Sequence, residues 1–363
     1  MLKKVAAEIK RIEECSRKYI WWFILGTILA LGLACIMIFQ YAQEKLFFSE
    51  SYELGNAELQ NAIEESLNLK LDAESVTQIT SIELDGYKEL NALVGIEQFE
   101  NLTSLTITNS GISDVSCLEN MIQLNSLDLS GNYIYDIEPL KNLTNLENLN
   151  VRNNRIYDLT PVFYLKKLRV LNAGSNNLTF IDGEISELSH LQELTLDDNR
   201  ISDASGINEL PMLVLLNLSK NKLTSFPELK GLESLTNLYL HNNVLSDLSE
   251  LKDFSKLMIL NVSDNCLTSL ENVKSYKNLE NLNISDNQIT NLNGIERLEQ
   301  LKSLDIRGNQ ITDVSVLENL PEFNTIYVDD DFDRSQLNFM VGNFRNADTL
   351  TKEYLLKAQY NLK

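Results

Sequence analysis

Few side chains in this sequence could do covalent or acid–base chemistry, and they are badly placed for it. The 363 residues hold two histidines, His190 and His241, and four cysteines. A His-based triad or a zinc site needs several such groups converging on one point. No nucleophile elbow, P-loop, dinucleotide fingerprint or H-E-x-x-H stretch is present. The densest acidic run, Asp329-Asp330-Asp331-Phe332-Asp333, invites comparison with a calcium loop. Arg334 stands where that loop needs Gly, and Met340 where it needs the closing Glu. The run therefore reads as a solvated edge, as does Asp197-Asp198. No catalytic residue, metal or cofactor is expected, and the chain reads as a binding protein, not an enzyme.

Recognition chemistry is better represented. Leu215, Tyr239, His241 and Ile259 fall at related places of a repeating pattern, in three adjacent copies. Apolar and aromatic groups gathered on an otherwise polar surface mark an interaction hot spot. Arg152, Arg307 and Tyr327 punctuate the same surface, and Glu193 and Asp197 lie one copy before Leu215. Tyr133, Tyr135 and Tyr157 make a second aromatic group at its edge.

The pattern that positions them has a period of 22 residues. Its clearest copies are LNSLDLSGNYIYDIEPLKNLTN from Leu124 and LENLNISDNQITNLNGIERLEQ from Leu279. Copies start at Ile79, Leu102, Leu124, Leu146, Leu168, Leu191, Leu213, Leu235, Leu257, Leu279 and Leu301, with a degenerate one from Phe323. Leu or Ile at the fourth and sixth places points one way on a short strand, so the third, fifth and seventh face solvent. The first, eleventh, fourteenth, seventeenth and twentieth places supply the other core walls. No single copy can bury such a face, so neighbours must stack into a solenoid with a parallel sheet. The second half of each copy is too short for a long helix and should form turns or 3₁₀ segments.

The chain carries 41 asparagines, and the ninth place explains many of them. Asn132, Asn154, Asn176, Asn199, Asn221, Asn243, Asn265, Asn287 and Asn309 occupy it, with Ser110 in an early copy. Their amides should hydrogen-bond the backbone of adjacent coils as a structural ladder.

Copies such as LTSLTITNSGISDVSCLENMIQ and LNSLDLSGNYIYDIEPLKNLTN resemble the internalin-type leucine-rich repeats of bacterial surface proteins. The stretch from Asn56 to Leu67, with Leu59, Ile63 and Leu67 one helical turn apart, resembles that family's helical N-terminal cap. The resemblance implies a right-handed, curved α/β solenoid that binds protein through its concave sheet. It does not imply a role in host-cell entry, because no Ig-like module, sorting motif or basic GW-type module follows the repeats.

Residues 20–40 read as a transmembrane signal anchor. Ile20 to Phe39 carries no charge, and twenty helical residues span about 30 Å, the hydrocarbon thickness of a bilayer. Six cations against three Glu precede it, which by the positive-inside rule makes the N-terminus cytoplasmic and the repeats extracellular. Cleavage after Gln40-Tyr41-Ala42 and lipidation of Cys35 are the alternatives, both with poorly formed motifs. The expected organisation is a cytoplasmic tail (1–19), the anchor (20–40), a linker (41–51), a helical cap (52–78), repeats (79–328) and a C-terminal cap (329–363). That last cap would include an amphipathic helix over 349–361.

A formal net charge of −21 argues against nucleic acid, which needs clustered Lys and Arg. Hydrophobic content of 44% excludes a disordered chain. Two functional readings follow. One is a membrane-anchored extracellular module, monomeric outside the membrane, that binds a protein or surface polymer through its concave face. The other is a non-catalytic envelope scaffold that assembles a membrane complex.

Overall fold

The computed structural model describes residues 52–340, apart from 89, 91, 252 and 253. Among these residues two short helices come first. α1 (Ala57–Leu67) starts at Asn56, whose side chain accepts from the Glu58 and Leu59 amides, and stops at Asn68 in the left-handed region. Those contacts satisfy amides that a helix start leaves without partners. α1 buries Leu59, Ala62 and Ile63. It lies beside the first strand of the sheet, where the Ser66 hydroxyl donates to the Glu83 carbonyl at 2.6 Å. An exposed strand edge is a template for unwanted pairing, and a covering helix blunts it. α2 (Ala73–Gln78) is opened by a reciprocal pair. The Ser75 amide donates to Asp72 at 2.7 Å and the Asp72 amide to the Ser75 hydroxyl at 2.8 Å.

Every repeat then starts a strand at its third place. β1 (Ser81–Asp85) and β2 (Ser104–Thr108) have five residues each. Three-residue strands follow: β3 (Ser126–Asp128), β4 (Asn148–Asn150), β5 (Val170–Asn172), β6 (Glu193–Thr195), β7 (Leu215–Asn217) and β8 (Asn237–Tyr239). The series closes with β9 (Ile259–Asn261), β10 (Asn281–Asn283), β11 (Ser303–Asp305) and β12 (Thr325–Tyr327). All twelve pair in parallel, in chain order. Register holds one repeat against the next, as in Leu127↔Leu149, Leu149↔Leu171 and Leu216↔Leu238.

The core follows the period. Fourth-place residues such as Leu127, Leu194 and Leu260 are buried, as are sixth-place residues such as Leu129, Leu196 and Val262. First-place leucines from Leu102 to Leu301 are buried with them. Short 3₁₀ segments, among them Glu138–Asn142, Thr160–Tyr164 and Glu271–Ser275, drop Leu140, Val162 and Val273 into the same interior. Each fully buried Leu, Ile or Val contributes about 1.5–3 kcal/mol. Tyr276 takes a twentieth place otherwise filled by Leu, Met or Phe. Its hydroxyl is buried but donates to the Leu251 carbonyl, and burial holds its pKa above the usual tyrosine range.

The ninth-place asparagines bond two coils at once. The Asn154 amide nitrogen donates to Leu129 O at 2.9 Å and Val151 O at 3.0 Å, while its oxygen accepts from Ile134 N at 2.9 Å. The same set recurs at each rung; Asn132, at the start, serves the amides of Ser110 and Ile112. Ser110 itself turns its hydroxyl to Thr108 O at 2.7 Å. One further regularity escapes the leucine pattern. The eighth place of ten successive repeats, from Asn109 to Gly308, has φ between +52° and +71°. Asn, Asp and Gly suit that conformation; Ser175 and Lys220 adopt it against their preference.

The expected architecture needs correction at its N-terminal end. It placed a transmembrane helix before the repeats, and with it a single-pass location with extracellular repeats. Among the described residues no helix is long and apolar enough to cross a membrane. The longer of the two helices has 11 residues, which spans only about 16 Å of the roughly 30 Å required. The segment at residues 20–40 lies outside the described residues. So does 341–363, with the helix expected over 349–361. Of the expected C-terminal cap, the 3₁₀ run Arg334–Met340 is described, with Leu337 buried.

Candidate binding surface

The sheet face opposite the core is built from the third, fifth and seventh places. From β3 to β11 the fifth place is Asn or Asp in all but two strands. Each of those side chains closes the strand by accepting from the amide two residues on. Asn150 accepts from Arg152, Asn217 from Ser219, Asn261 from Ser263 and Asn283 from Ser285, at 2.9–3.1 Å. These are Asx turns, so most of this polar face is committed to the backbone. The exceptions are Thr195 and Tyr239. A tyrosine ring cannot bend back to its own second-next amide, so β8 gives up that contact and presents an aromatic group instead.

Tyr239 has apolar company. Leu215 and Ile259 hold the third place of β7 and β9, each paired with Asn237 of β8 between them. All three are half-buried. Val214 and Met258, one residue earlier, are 40% and 39% exposed, and Met212 is 44% exposed. The sequence reading missed these three. The second place is polar elsewhere, as at Thr103, Asn125, Glu147, Gln192 and Glu280, so apolar Val214 and Met258 were the available signal; Met212 ends the copy before Leu213. Val214 and Met258 flank Thr236 along one row, through Thr236 N to Val214 O and Met258 N to Thr236 O. Leu215, Tyr239 and Ile259 thus gather on the outer face of β7–β9, with Asn237 between the two aliphatic residues and Asn217 and Asn261 flanking Tyr239, while Val214 and Met258 are exposed at the strand starts on either side of Thr236.

His241 lies at the seventh place just beyond Tyr239. Burial holds its imidazole below the usual histidine range; Lys220 adds to the shift, while Asp197 and Asp264 oppose it. Its Nδ1 is buried without a hydrogen-bond partner.

The remaining expected residues do not converge on this patch. Arg152 lies four strands from β8, about 19 Å at ordinary strand spacing. Its guanidinium grips Asp197 in two parallel bonds, Nη1–Oδ1 at 2.7 Å and Nη2–Oδ2 at 2.9 Å. That ion pair jumps a whole repeat, and Gly174 makes room for it. A Cβ at Gly174 would lie 2.2 Å from Arg152 Nη1 and 2.6 Å from Asp197 Oδ1. A seventh-place Gly was the sequence signal for this crossing. Arg307 is likewise occupied: its Nε donates to Asp305 at 2.9 Å, and it lies 5.6 Å over the Tyr327 ring. Tyr133, Tyr135 and Tyr157 are 53%, 57% and 62% exposed at the strand exits, with Arg155 stacked 4.5 Å over Tyr133. Cys117 and Cys266 are unpaired and half-buried. Among the described residues no group of three or more His, Cys, Asp or Glu could hold a metal.

Comparison with known proteins bears on this architecture. The leucine-rich repeat family model matches residues 144–201 and 255–311, and a two-copy leucine-rich repeat model matches 211–253. No curated protein matches the chain. Among solved structures, an internalin (InlF) from Listeria monocytogenes superposes with a TM-score of 0.63 at 27% identity, over 80% of this chain and 96% of that one. The chain is an internalin-like leucine-rich repeat protein. The functional domain of InlJ, also from Listeria monocytogenes, gives a TM-score of 0.62 at 23% identity, over 74% of this internalin-like chain and 58% of that one. A plant peptide hormone receptor, RGFR1 in complex with RGF2, shares the fold at a TM-score of 0.56 and 19% identity, over 71% and 49% of the two chains. Leucine-rich repeats commonly serve as non-catalytic binding scaffolds, and this internalin-like chain has that fold.

Proposed function

We propose that the protein binds a protein partner through the exposed face of its sheet, centred on Leu215, Tyr239 and Ile259. The observation that carries this reading is Tyr239. It stands at a fifth place where the scaffold uses Asn or Asp to close a strand, and it stands among other apolar side chains. Chance variation on a repeat surface scatters single apolar residues. Here Leu215, Tyr239 and Ile259 fall on three successive strands, with Val214 and Met258 exposed at the starts of two of them. Such a patch gains free energy on being covered, and an aromatic anchor at its middle is where binding energy concentrates. Arg152 and Arg307 stand outside the patch in this reading, their charges already paired with Asp197 and Asp305. The role is non-catalytic. A receptor of the same fold holding a peptide ligand supports the mode of binding.

The test replaces Tyr239 and Ile259 together by Ala in the full chain. Truncating a central anchor costs about 2 kcal/mol or more, roughly thirtyfold in affinity. Proteins retained by the immobilised chain should be lost with the double variant, with an unchanged melting temperature. They should remain with Ser126→Ala, which lies on the same face. Equal retention by both variants refutes the reading.

A further inference from the structure

We infer that the β7–β9 patch takes a positively charged partner segment, one in which apolar side chains are flanked by Lys or Arg. The inference rests on the proposed binding role and adds the chemistry of the occupant. Its basis is the charge around the patch. Glu193 sits beside Leu215 in the ladder, half-buried, and among the described residues it makes no ion pair. Asp198 and Asp264 stand exposed on the eighth-place row at either side. The arginines of this face are used elsewhere. Arg152 is held by Asp197 and Arg307 by Asp305. Lys220 on the eighth-place row and Lys256 two residues before Met258 are the cations near the patch, and burial disfavours the charged form of His241. The chain as a whole carries −21, which attracts a cationic partner from a distance.

Other occupants fit less well. An acidic segment would bring carboxylates against Glu193 and Asp264. A second copy meeting patch to patch about a two-fold axis would do the same, because such an interface sets identical surfaces against each other. A basic segment satisfies both features at once: its apolar side chains cover Leu215, Tyr239 and Ile259, while its cations reach rim carboxylates that make no ion pair among the described residues, Asp198 and Asp264 being hydrogen-bonded only to Ser175 and Asn242.

The probe is a fluorescent peptide of alternating Lys and Leu, titrated against the full chain, with the Glu–Leu peptide as its counterpart. The Lys–Leu peptide should bind, and weaken as salt rises from about 50 to about 300 mM, where screening shortens to a few Å. Glu193→Gln with Asp264→Asn should weaken it about three- to tenfold. Glu119→Gln with Glu318→Gln, in the second halves of their repeats away from the strands, should leave it unchanged and so exclude binding to net charge alone. Tyr239→Ala should weaken it as well. The inference fails if the Glu–Leu peptide binds as tightly, or if both acidic double variants act alike. If Tyr239→Ala weakens both peptides equally while the Gln/Asn variant changes nothing, the apolar site stands and the charge assignment falls. If only the rim variant matters, both the patch and its occupant are refuted. A dimer of the full chain that Tyr239→Ala dissolves assigns the surface to a second copy and overturns the inference.

Discussion

Asn176→Ala tests the account of the ladder at its middle. The Asn176 amide nitrogen donates to Val151 O, Ala173 O and Gly174 O at 3.0–3.1 Å, and its oxygen accepts from Ile156 N at 2.9 Å. The three carbonyls do not become orphans when the side chain goes. Val151 O keeps Asn154, Ala173 O keeps Asn199 and Gly174 O keeps the Asn153 amide. Ile156 N is different, since no other acceptor faces it among the described residues. A buried amide left without a partner costs about 1–3 kcal/mol. Three weakened carbonyl contacts add about 0.5–1 kcal/mol, so the total is about 1.5–4 kcal/mol. Asn145→Ala is the control, a half-buried side chain that donates to Ile122 O and accepts from Lys167 Nζ near the surface; it should cost under about 1 kcal/mol. Urea unfolding of the full chain gives the two values. Hydrogen exchange should show the loss concentrated at Ile156 and the β4–β5 coils, because a solenoid couples mainly to its neighbours. Equal destabilisation by the two variants would refute the assignment of the buried Asn as the element that satisfies Ile156.

Two further substitutions probe the exposed face. Because burial lowers the His241 pKa in the folded chain, the unfolded chain binds more protons below its ordinary value of about 6.5. Stability from this site is therefore complete above about pH 6.5 and is lost as the pH falls toward the folded value; His241→Gln should flatten the melting curves between about pH 7 and 5. An unchanged slope sinks that reading. Gly174→Ala should push the Arg152 guanidinium off Asp197, at a cost of about 1–2 kcal/mol for a pair that is half exposed on one side. The cost should largely vanish when Arg152→Ala is already present; strict additivity in that cycle contradicts the crossing.

Much of this protein is written locally and repeatedly. Leu at the fourth place, Leu, Ile or Val at the sixth and Asn at the ninth recur with the period, so one copy read correctly locates all the others. The places that became strands, core walls and ladder rungs could thus be read from residue type and spacing. The internalin-like resemblance agrees with them. The left-handed eighth place was less visible, because Ser175 and Lys220 break its Asn, Asp and Gly preference. Apolar residues at the second place, Val214 and Met258, were legible but overlooked. The anchor expected at residues 20–40 belongs to a part of the chain that the described residues do not include.

Periodicity says where a side chain starts but not what it reaches. Arg152 and Asp197 are 45 residues apart, and their pairing needs a glycine between them to let a guanidinium pass over a coil. Which cations are already neutralised, and hence which carboxylates remain to meet a partner, depends on that reach. Stacking of coils thus came from sequence alone, since each coil repeats the same local pattern. Which charges of the face are already paired came only with the tertiary structure, because long side chains choose partners across coils by distance and room.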